Sequence, residues 1–106
     1  MRFQVVWTDS AESDLTETIL YLAEKSPDTA RQKYDQIKTA AQSLDQFPDR
    51  GRIVPELMEY GITTYRELII KPYRLIYKTS EQNVHVLLFI DSRRNIEDIL
   101  LKRLLR

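Results

Sequence analysis

The chain is 106 residues long and 42% hydrophobic, and it contains no cysteine. That length and composition predict one domain, spanning residues 1–106, with a modest core and no disulfide support. Sixteen Lys/Arg side chains balance sixteen Asp/Glu side chains, which argues against a protein dedicated to nonspecific nucleic-acid binding. No signal peptide and no run of about 20 apolar residues is found, so we expect a soluble, cytoplasmic protein without a membrane partner.

Charge is unevenly distributed along the sequence. Residues 1–49 carry five Lys/Arg and nine Asp/Glu, a net charge of −4, whereas residues 50–106 carry eleven and seven, a net charge of +4. The sequence thus joins an acidic half to a basic half, which permits a local basic surface in the second half.

The acidic half predicts a strand followed by a helical hairpin. Residues 2–7 alternate as a short strand, and Asp9 with Glu12 resembles a capping box that opens a helix over residues 10–25. Ser26 and Pro27 suit the N-cap and the first position of a second helix, which is expected to end near residue 46. Apolar residues recur every three or four positions in both helices, which favours a hairpin that covers one face of a sheet.

Residues 47–61 form the least regular stretch, with both glycines and two of the four prolines. We expect a loop with one helical turn over residues 56–60. Arg50 and Arg52 flank Gly51 in this loop. They are interpreted either as exposed loop charges or as the rim of a target-binding site.

Three strand-like runs follow, over residues 65–70, 73–78 and 84–90, with short turn sequences between them. Sequential runs of this kind predict an antiparallel meander. The last run is almost continuously apolar, which suits a central strand covered on both faces.

Polar side chains are concentrated in this meander. Arg66 and Arg74 stand among apolar neighbours within their strands, and the last strand ends in Asp91-Ser92-Arg93-Arg94. Charges at a strand end beside interior arginines predict a polar site on a rigid platform.

The chain closes with a strongly apolar helix, for which Asn95 is the expected N-cap with Asp98 in the capping-box position. Because apolar residues cover much of its circumference, this helix must dock on the sheet or contact another protein. Its basic end consists of Lys102, Arg103 and Arg106. Its apolar residues are Ile96, Ile99, Leu100, Leu101, Leu104 and Leu105.

Metal and cofactor sites find no support in the sequence. One histidine and no cysteine leave too few ligands for a transition-metal site, and two glycines leave no phosphate-binding loop. His85 is interpreted as a core or edge side chain of an apolar strand. We expect no metal and no cofactor, in an α+β domain: an antiparallel sheet of about four strands, an N-terminal helical hairpin packed on it and a C-terminal helix.

The order and spacing of these motifs resemble the small RelE/ParE-type toxins of bacterial type II toxin–antitoxin systems. The resemblance runs nearly end to end and includes FPDRGRIVPEL at residues 47–57, YREL at residues 65–68 and PYRLIY at residues 72–77. It implies the RelE/ParE toxin fold and neutralisation by a cognate antitoxin protein that wraps the toxin. ParE-like members bind and inhibit DNA gyrase, whereas RelE-like members cut messenger RNA on the ribosome.

The resemblance also assigns expected roles to residues. For a RelE-like nuclease, Glu56 is the candidate general base, and Arg66, Arg74 and Arg93 contact the phosphate. For either activity, the expected target-binding residues are Arg50, Arg52, Arg66, Arg74, Arg93 and Arg94. A separate expectation comes from the apolar surface of the last helix, where Ile96, Ile99, Leu100 and Leu104 are expected to bind the antitoxin.

Asp91 departs from the family pattern, because many relatives have a histidine at this position. An aspartate beside arginines is ionised near neutrality, so it is a poor general acid and repels RNA phosphate. This favours the gyrase inhibitor, which needs no catalytic residue of its own, over the ribosome-dependent endoribonuclease. A toxin-like fold that only binds its antitoxin is a third hypothesis.

A structural explanation of the arginines stands beside these roles. Arg66 with Glu67, or Arg74 with Asp91, could form ion pairs that tie strands together without any substrate.

Overall fold

The computed structural model describes residues 2–104. Its strands are β1 (Gln4–Trp7), β2 (Arg52–Ile53), β3 (Arg66–Ile70), β4 (Tyr73–Ser80) and β5 (Asn83–Asp91). Its α-helices are α1 (Asp9–Lys25), α2 (Pro27–Gln42), α3 (Pro55–Met58) and α4 (Ile96–Arg103), and a 3-10 turn over Ser43–Asp45 follows α2. The predicted Leu105 and Arg106 of the last helix lie outside the described residues.

One five-stranded sheet has the order β1-β5-β4-β3-β2. The predicted meander is confirmed, since β3 pairs antiparallel with β4 and β4 with β5. Two features differ from the expected four-stranded antiparallel sheet: β1 lies parallel to β5, and the two-residue strand β2 adds a fifth strand. The α+β class is confirmed.

The helical hairpin begins one residue earlier than predicted. Thr8 is the N-cap of α1, with its hydroxyl accepting the Ala11 N–H at 3.2 Å, so the assignment of Asp9 as the cap is wrong. Thr8 has the extended backbone that a cap requires, whereas Asp9 already lies in the helix near its positive end. Ser26 caps α2 as predicted, with Pro27 at the first helical position.

Hydrophobic packing divides into two cores on opposite faces of the sheet. The first core lies under α1 and α2, and the second lies under α3 and α4. Alternating residues of β4 and β5 enter different cores, which explains why residues 73–77 of β4 and 88–90 of β5 are buried without interruption. The first core includes Ala11, Leu15, Ile37, Leu75, Tyr77 and Phe89, and the second includes Val54, Leu57, Ile76, Leu88, Ile96 and Leu100.

Helix α4 therefore docks on the chain's own sheet, one of the two outcomes that its apolar sequence predicted. Ile96 and Leu100 are buried, Ile99 and Leu104 pack partly buried against them, and Leu101 remains 49% exposed. Across residues 2–104, no helix has both the length and the apolar composition required to span a membrane.

Candidate functional site

Arg74 occupies the centre of a buried ionic cluster on the second face of the sheet. Its side chain is 7% exposed. The Nε donates to Glu67 Oε1 at 2.6 Å, and Nη1 and Nη2 donate to the two carboxylate oxygens of Glu56 at 2.9 and 2.8 Å. This bidentate geometry is the strongest that an arginine forms with a carboxylate. It leaves Arg74 occupied by protein carboxylates.

Glu67 completes this cluster, although no site role was predicted for it from the sequence. Its side chain is fully buried, and it also accepts a hydrogen bond from Arg52 Nε at 2.6 Å. A buried carboxylate is tolerated only when its charge is paired. Glu67 lies two residues from Ile69, which is opposite Arg74 in the next strand, so Glu67 and Arg74 share a sheet face. This relation follows from the strand register and not from alternation along one strand.

Mutual hydrogen bonding fixes the charges of the cluster. The hydrogen bonds that Arg74 donates to Glu56 lower the pKa of Glu56 and raise the pKa of Arg74, in each case against the opposing effect of burial. Glu56 is thus a stabilised carboxylate whose two oxygens are both engaged. Such a group is a weak general base, because catalysis favours a pKa near the working pH and a free lone pair.

The two ion pairs suggested from the sequence are wrong in their partners. Strand register places Asp91 opposite Tyr73 and Ile90 opposite Arg74, so Asp91 and Arg74 face opposite sides of the sheet. Arg66 and Glu67 are consecutive in β3 and also face opposite sides. Arg66 instead donates to Gly51 O at 2.7 Å and lies 3.7 Å from Asp49.

Asp91 pairs with the arginine that follows its strand. Its Oδ1 accepts Arg93 Nε at 2.9 Å and its Oδ2 accepts Nη2 at 2.5 Å, while the Arg93 backbone N–H donates to Oδ1 at 2.9 Å. The hydrogen bonds from Arg93 hold the pKa of Asp91 at about 2. Asp91 is therefore ionised at neutral pH, as expected from the sequence, and it neutralises Arg93.

Arg93 and Arg94 line a cleft of about 650 Å³ between the helical hairpin and the end of the sheet. Tyr21 and Tyr73 contribute aromatic walls, and burial raises the pKa of the Tyr73 phenol. Tyr73 belongs to the first core. This cleft therefore opens on the face of the sheet opposite to Arg74.

The predicted arginines consequently lie in three separate places. Arg52 joins Arg74 in the ionic cluster, Arg50 and Arg66 lie around residues 47–52, and Arg93 with Arg94 lies at the cleft. The structure brings Glu56 and Arg74 together, but it does not bring Arg66 and Arg93 to them. Among residues 2–104, no group of three or more His, Asp or Glu side chains is arranged to hold a metal ion.

The four residues predicted to bind antitoxin, Ile96, Ile99, Leu100 and Leu104, all contribute to the second core. Ile96 and Leu100 are buried, so an antitoxin could contact these two residues only if α4 left the sheet, whereas Ile99 and Leu104 are partly buried. This role remains a prediction.

Comparison with known proteins identifies similarity to toxins and to a toxin–antitoxin system. The family model described as ParE toxin of the type II toxin–antitoxin system parDE matches residues 5–96. Toxin RelE2 of Caulobacter vibrioides is 38% identical over 84 residues, which cover 78% of this chain and 88% of that toxin. A solved structure, the chromosomal ParDE TA system from P. aeruginosa, superposes with a TM-score of 0.67 at 18% identity, covering 84% of this chain and 95% of that chain.

The structural match supports the fold, and the sequence matches support the family. The family model includes the first core, the second core up to Ile96, the ionic cluster and the cleft with Arg93 and Arg94. This chain belongs to the RelE/ParE family of toxins of type II toxin–antitoxin systems.

Proposed function

We propose that this chain is a toxin of the ParE-like branch, which inhibits DNA gyrase by direct binding in the cytoplasm and is neutralised by a cognate antitoxin. The observation that supports this proposal is the occupied state of Arg74. The arginine expected to contact phosphate in a nuclease is 7% exposed and is bound by two carboxylates. A phosphate would have to displace Glu56 and approach the buried charge of Glu67.

The separation of the other predicted nuclease residues, Arg66 and Arg93, from Glu56 and Arg74 supports the same proposal. A nuclease requires base, acid and phosphate-binding groups within hydrogen-bond reach of one reacting phosphate. Arg66 and Arg93 lie on the hairpin side of the sheet, away from Glu56 and Arg74. Inhibition by binding needs no such convergence, because it depends on a complementary surface.

A supercoiling assay tests the proposal. Relaxed plasmid is incubated with purified gyrase, ATP and this protein, before and after addition of the cognate antitoxin. We expect that gyrase no longer supercoils the plasmid or that linear DNA accumulates. The antitoxin is expected to reverse either effect. The absence of any effect from a folded preparation would contradict gyrase inhibition.

The alternative, a ribosome-dependent mRNA endoribonuclease, is tested in parallel with ribosome-bound message. Glu56 and Arg74 are adjacent, which is the one feature of the structure that this alternative can use. It requires the pair to open on the ribosome. Cleavage by the wild-type protein, and its loss in a folded Arg74→Lys variant, would replace the gyrase proposal with the nuclease.

A further inference from the structure

Residues 47–52, named here the Phe47 loop, are fixed to the sheet by hydrogen bonds. The hydroxyl of Tyr77 donates to Pro48 O at 2.8 Å and accepts the Gly51 N–H at 2.9 Å. Arg66 donates to Gly51 O at 2.7 Å. Tyr77 is fully buried in the first core, so the loop is attached directly to that core.

Close packing at Gly51 holds the loop against the sheet. A Cβ at this position would lie 2.5 Å from Glu67 O and 2.7 Å from Tyr77 Oη, so glycine is required by contact with the sheet. The Arg50 N–H also donates to Phe47 O at 3.1 Å, and the Arg50 guanidinium donates to the Ser43 hydroxyl. A loop fixed in this way loses little conformational entropy when it binds a partner.

The fixed loop exposes an aromatic ring beside positive charge. Phe47 is 62% exposed, and the Arg52 side chain is 58% exposed. Arg50 is exposed and is bonded to a hydroxyl, so no carboxylate contact neutralises its charge within the described part of the chain. Aromatic side chains and arginines are enriched at the energetic centres of protein interfaces.

The chemistry of the loop favours a protein partner over a nucleic acid. The loop carries charges of both signs, because the Asp49 side chain is 81% exposed and lies 3.7 Å from Arg66, whereas a surface that binds a phosphate backbone is predominantly basic. Arg52 and Arg66 already lie beside Glu67 and Asp49, which leaves Arg50 as the charge for a new ion pair. A partner complementary to this surface offers an apolar pocket with an acidic group at its rim.

We propose that the Phe47 loop is the contact surface for the toxin's protein target, with the Phe47 ring filling an apolar pocket and Arg50 pairing with an acidic residue at its rim. This inference rests on the proposed function, under which the target is DNA gyrase.

The test compares Phe47→Ala with Leu20→Ala, which removes an equally exposed apolar side chain (63%) from α1. Circular dichroism checks folding, and three properties are measured: the concentration for half-inhibition of gyrase, the affinity for the cognate antitoxin and growth arrest after induced expression. Phe47→Ala is expected to raise the half-inhibitory concentration about 30-fold. Leu20→Ala is expected to change it less than about twofold, and both variants are expected to bind antitoxin as the wild type does.

Two outcomes would overturn the inference. One is a folded Phe47→Ala protein that inhibits gyrase as strongly as the wild type. The other is a loss of antitoxin affinity with inhibition unchanged, which would assign the loop to the antitoxin.

Measurement of growth arrest distinguishes failure of the proposed function from failure of the inference about the Phe47 loop. If the wild type arrests growth without affecting gyrase, gyrase is not the target and growth arrest decides the role of the loop. Arrest that is lost in Phe47→Ala and kept in Leu20→Ala would support the loop as the contact for another protein target. Arrest that persists in Phe47→Ala would overturn the inference.

Discussion

Two carboxylates of different exposure hold Arg74. The Glu67 side chain is fully buried, whereas that of Glu56 is 26% exposed. The inner contact therefore lies where water screens it least, and the outer contact lies at the surface. Because an unpaired buried charge costs far more than a broken surface pair, the stability of the cluster depends mainly on the contact with Glu67.

Removal of Arg74 is expected to destabilise the protein strongly. Arg74→Ala leaves the buried Glu67 carboxylate with only the exposed Arg52 as a partner, and we expect a loss of about 3 kcal/mol in the free energy of unfolding. Arg52→Ala is the matched control, because Arg52 binds the same carboxylate from the surface, and a loss below about 1 kcal/mol is expected. Urea denaturation measures both. Equal losses would show that burial does not govern the cluster.

Acid stability depends on Glu56 in a direction set by its lowered pKa. A carboxylate with a folded-state pKa below its unfolded value stabilises the protein above the unfolded pKa, which is about 4.3 for glutamate, and loses this contribution as the pH falls further. We therefore expect Glu56→Gln to flatten the decrease in unfolding free energy below about pH 4. Urea denaturation between pH 7 and pH 3 measures the slope.

The exposed Glu59, at the C-terminal end of α3, provides the control for this experiment. Glu59→Gln is expected to keep the wild-type slope. Asp91 contributes in both variants, because its pKa of about 2 places its own loss of stabilisation in the same acid range. An unchanged slope in Glu56→Gln would contradict a stabilising role for the Glu56 carboxylate.

The positions of Arg74 in a strand and of Asp91 beside arginines could be predicted from the sequence, but the partners of these side chains could not all be predicted. Arg74 was correctly placed on a strand among apolar residues, and Asp91 was correctly expected to be ionised beside arginines. Glu67 was missed as the partner of Arg74 because alternation along one strand does not reveal the register with the next strand. The suggested pair of Arg74 with Asp91 failed for the same reason.

At the scale of elements, α1 and α4 are joined across an edge of the sheet. Strand β1 ends at Trp7, opposite Val86, so β5 continues without a neighbour on that side. Asp14 of α1 accepts the Phe89 N–H at 3.1 Å, and Arg103 of α4 donates to Leu87 O at 3.2 Å. Arg103 also donates to Asp14 at 2.8 Å. The two side chains thus satisfy backbone groups that a longer β1 would have paired.

A double-mutant cycle tests this connection. Asp14→Asn, Arg103→Gln and the double variant are compared with the wild type by urea denaturation. Because the pair is largely shielded, with side-chain exposures of 17% and 28%, we expect a coupling energy of about 1 kcal/mol. Additive losses, with a coupling below about 0.3 kcal/mol, would show that each residue acts only through its backbone hydrogen bond.

Elements with strong local signals were predicted, and those fixed by distant partners were not. The turn between β3 and β4 and the capping of α2 by Ser26 are encoded by nearby residues, and both are confirmed. The connection between β4 and β5 is shorter than predicted, because β4 continues to Ser80 and β5 begins at Asn83. The parallel placement of β1 depends on a neighbour more than 70 residues away, and no local pattern encodes it. Strand β2 is two residues long and lies in a stretch interpreted as a loop.

At the scale of the whole molecule, two cores share the same central strands. Leu75 of β4 belongs to the first core, and its neighbour Ile76 belongs to the second. In β5, Leu88 and Phe89 divide in the same way. Disorder in one core would therefore disturb the strands that support the other. We expect a single cooperative unfolding transition, as is usual for a domain of this size.

This coupling is tested by a substitution in the second core, with unfolding measured by a fluorescent residue in the first core. Leu100 of α4 is fully buried, so Leu100→Ala is expected to reduce the free energy of unfolding by about 2–5 kcal/mol. Trp7, the single tryptophan, packs against the first core and reports on it by fluorescence, while circular dichroism at 222 nm reports on the helices. Because β4 and β5 belong to both cores, both signals are expected to shift to the same lower urea midpoint.

Leu101→Ala is the matched control, since Leu101 is the adjacent residue on α4 and is 49% exposed. We expect it to change the free energy of unfolding by less than about 1 kcal/mol. A Leu100→Ala protein in which circular dichroism shifts while Trp7 fluorescence keeps its wild-type midpoint would show that α4 unfolds independently. In that case the second core would be available to an antitoxin without unfolding of the first. Unfolding of α4 alone would then allow the predicted antitoxin contacts of Ile96, Ile99, Leu100 and Leu104 to form.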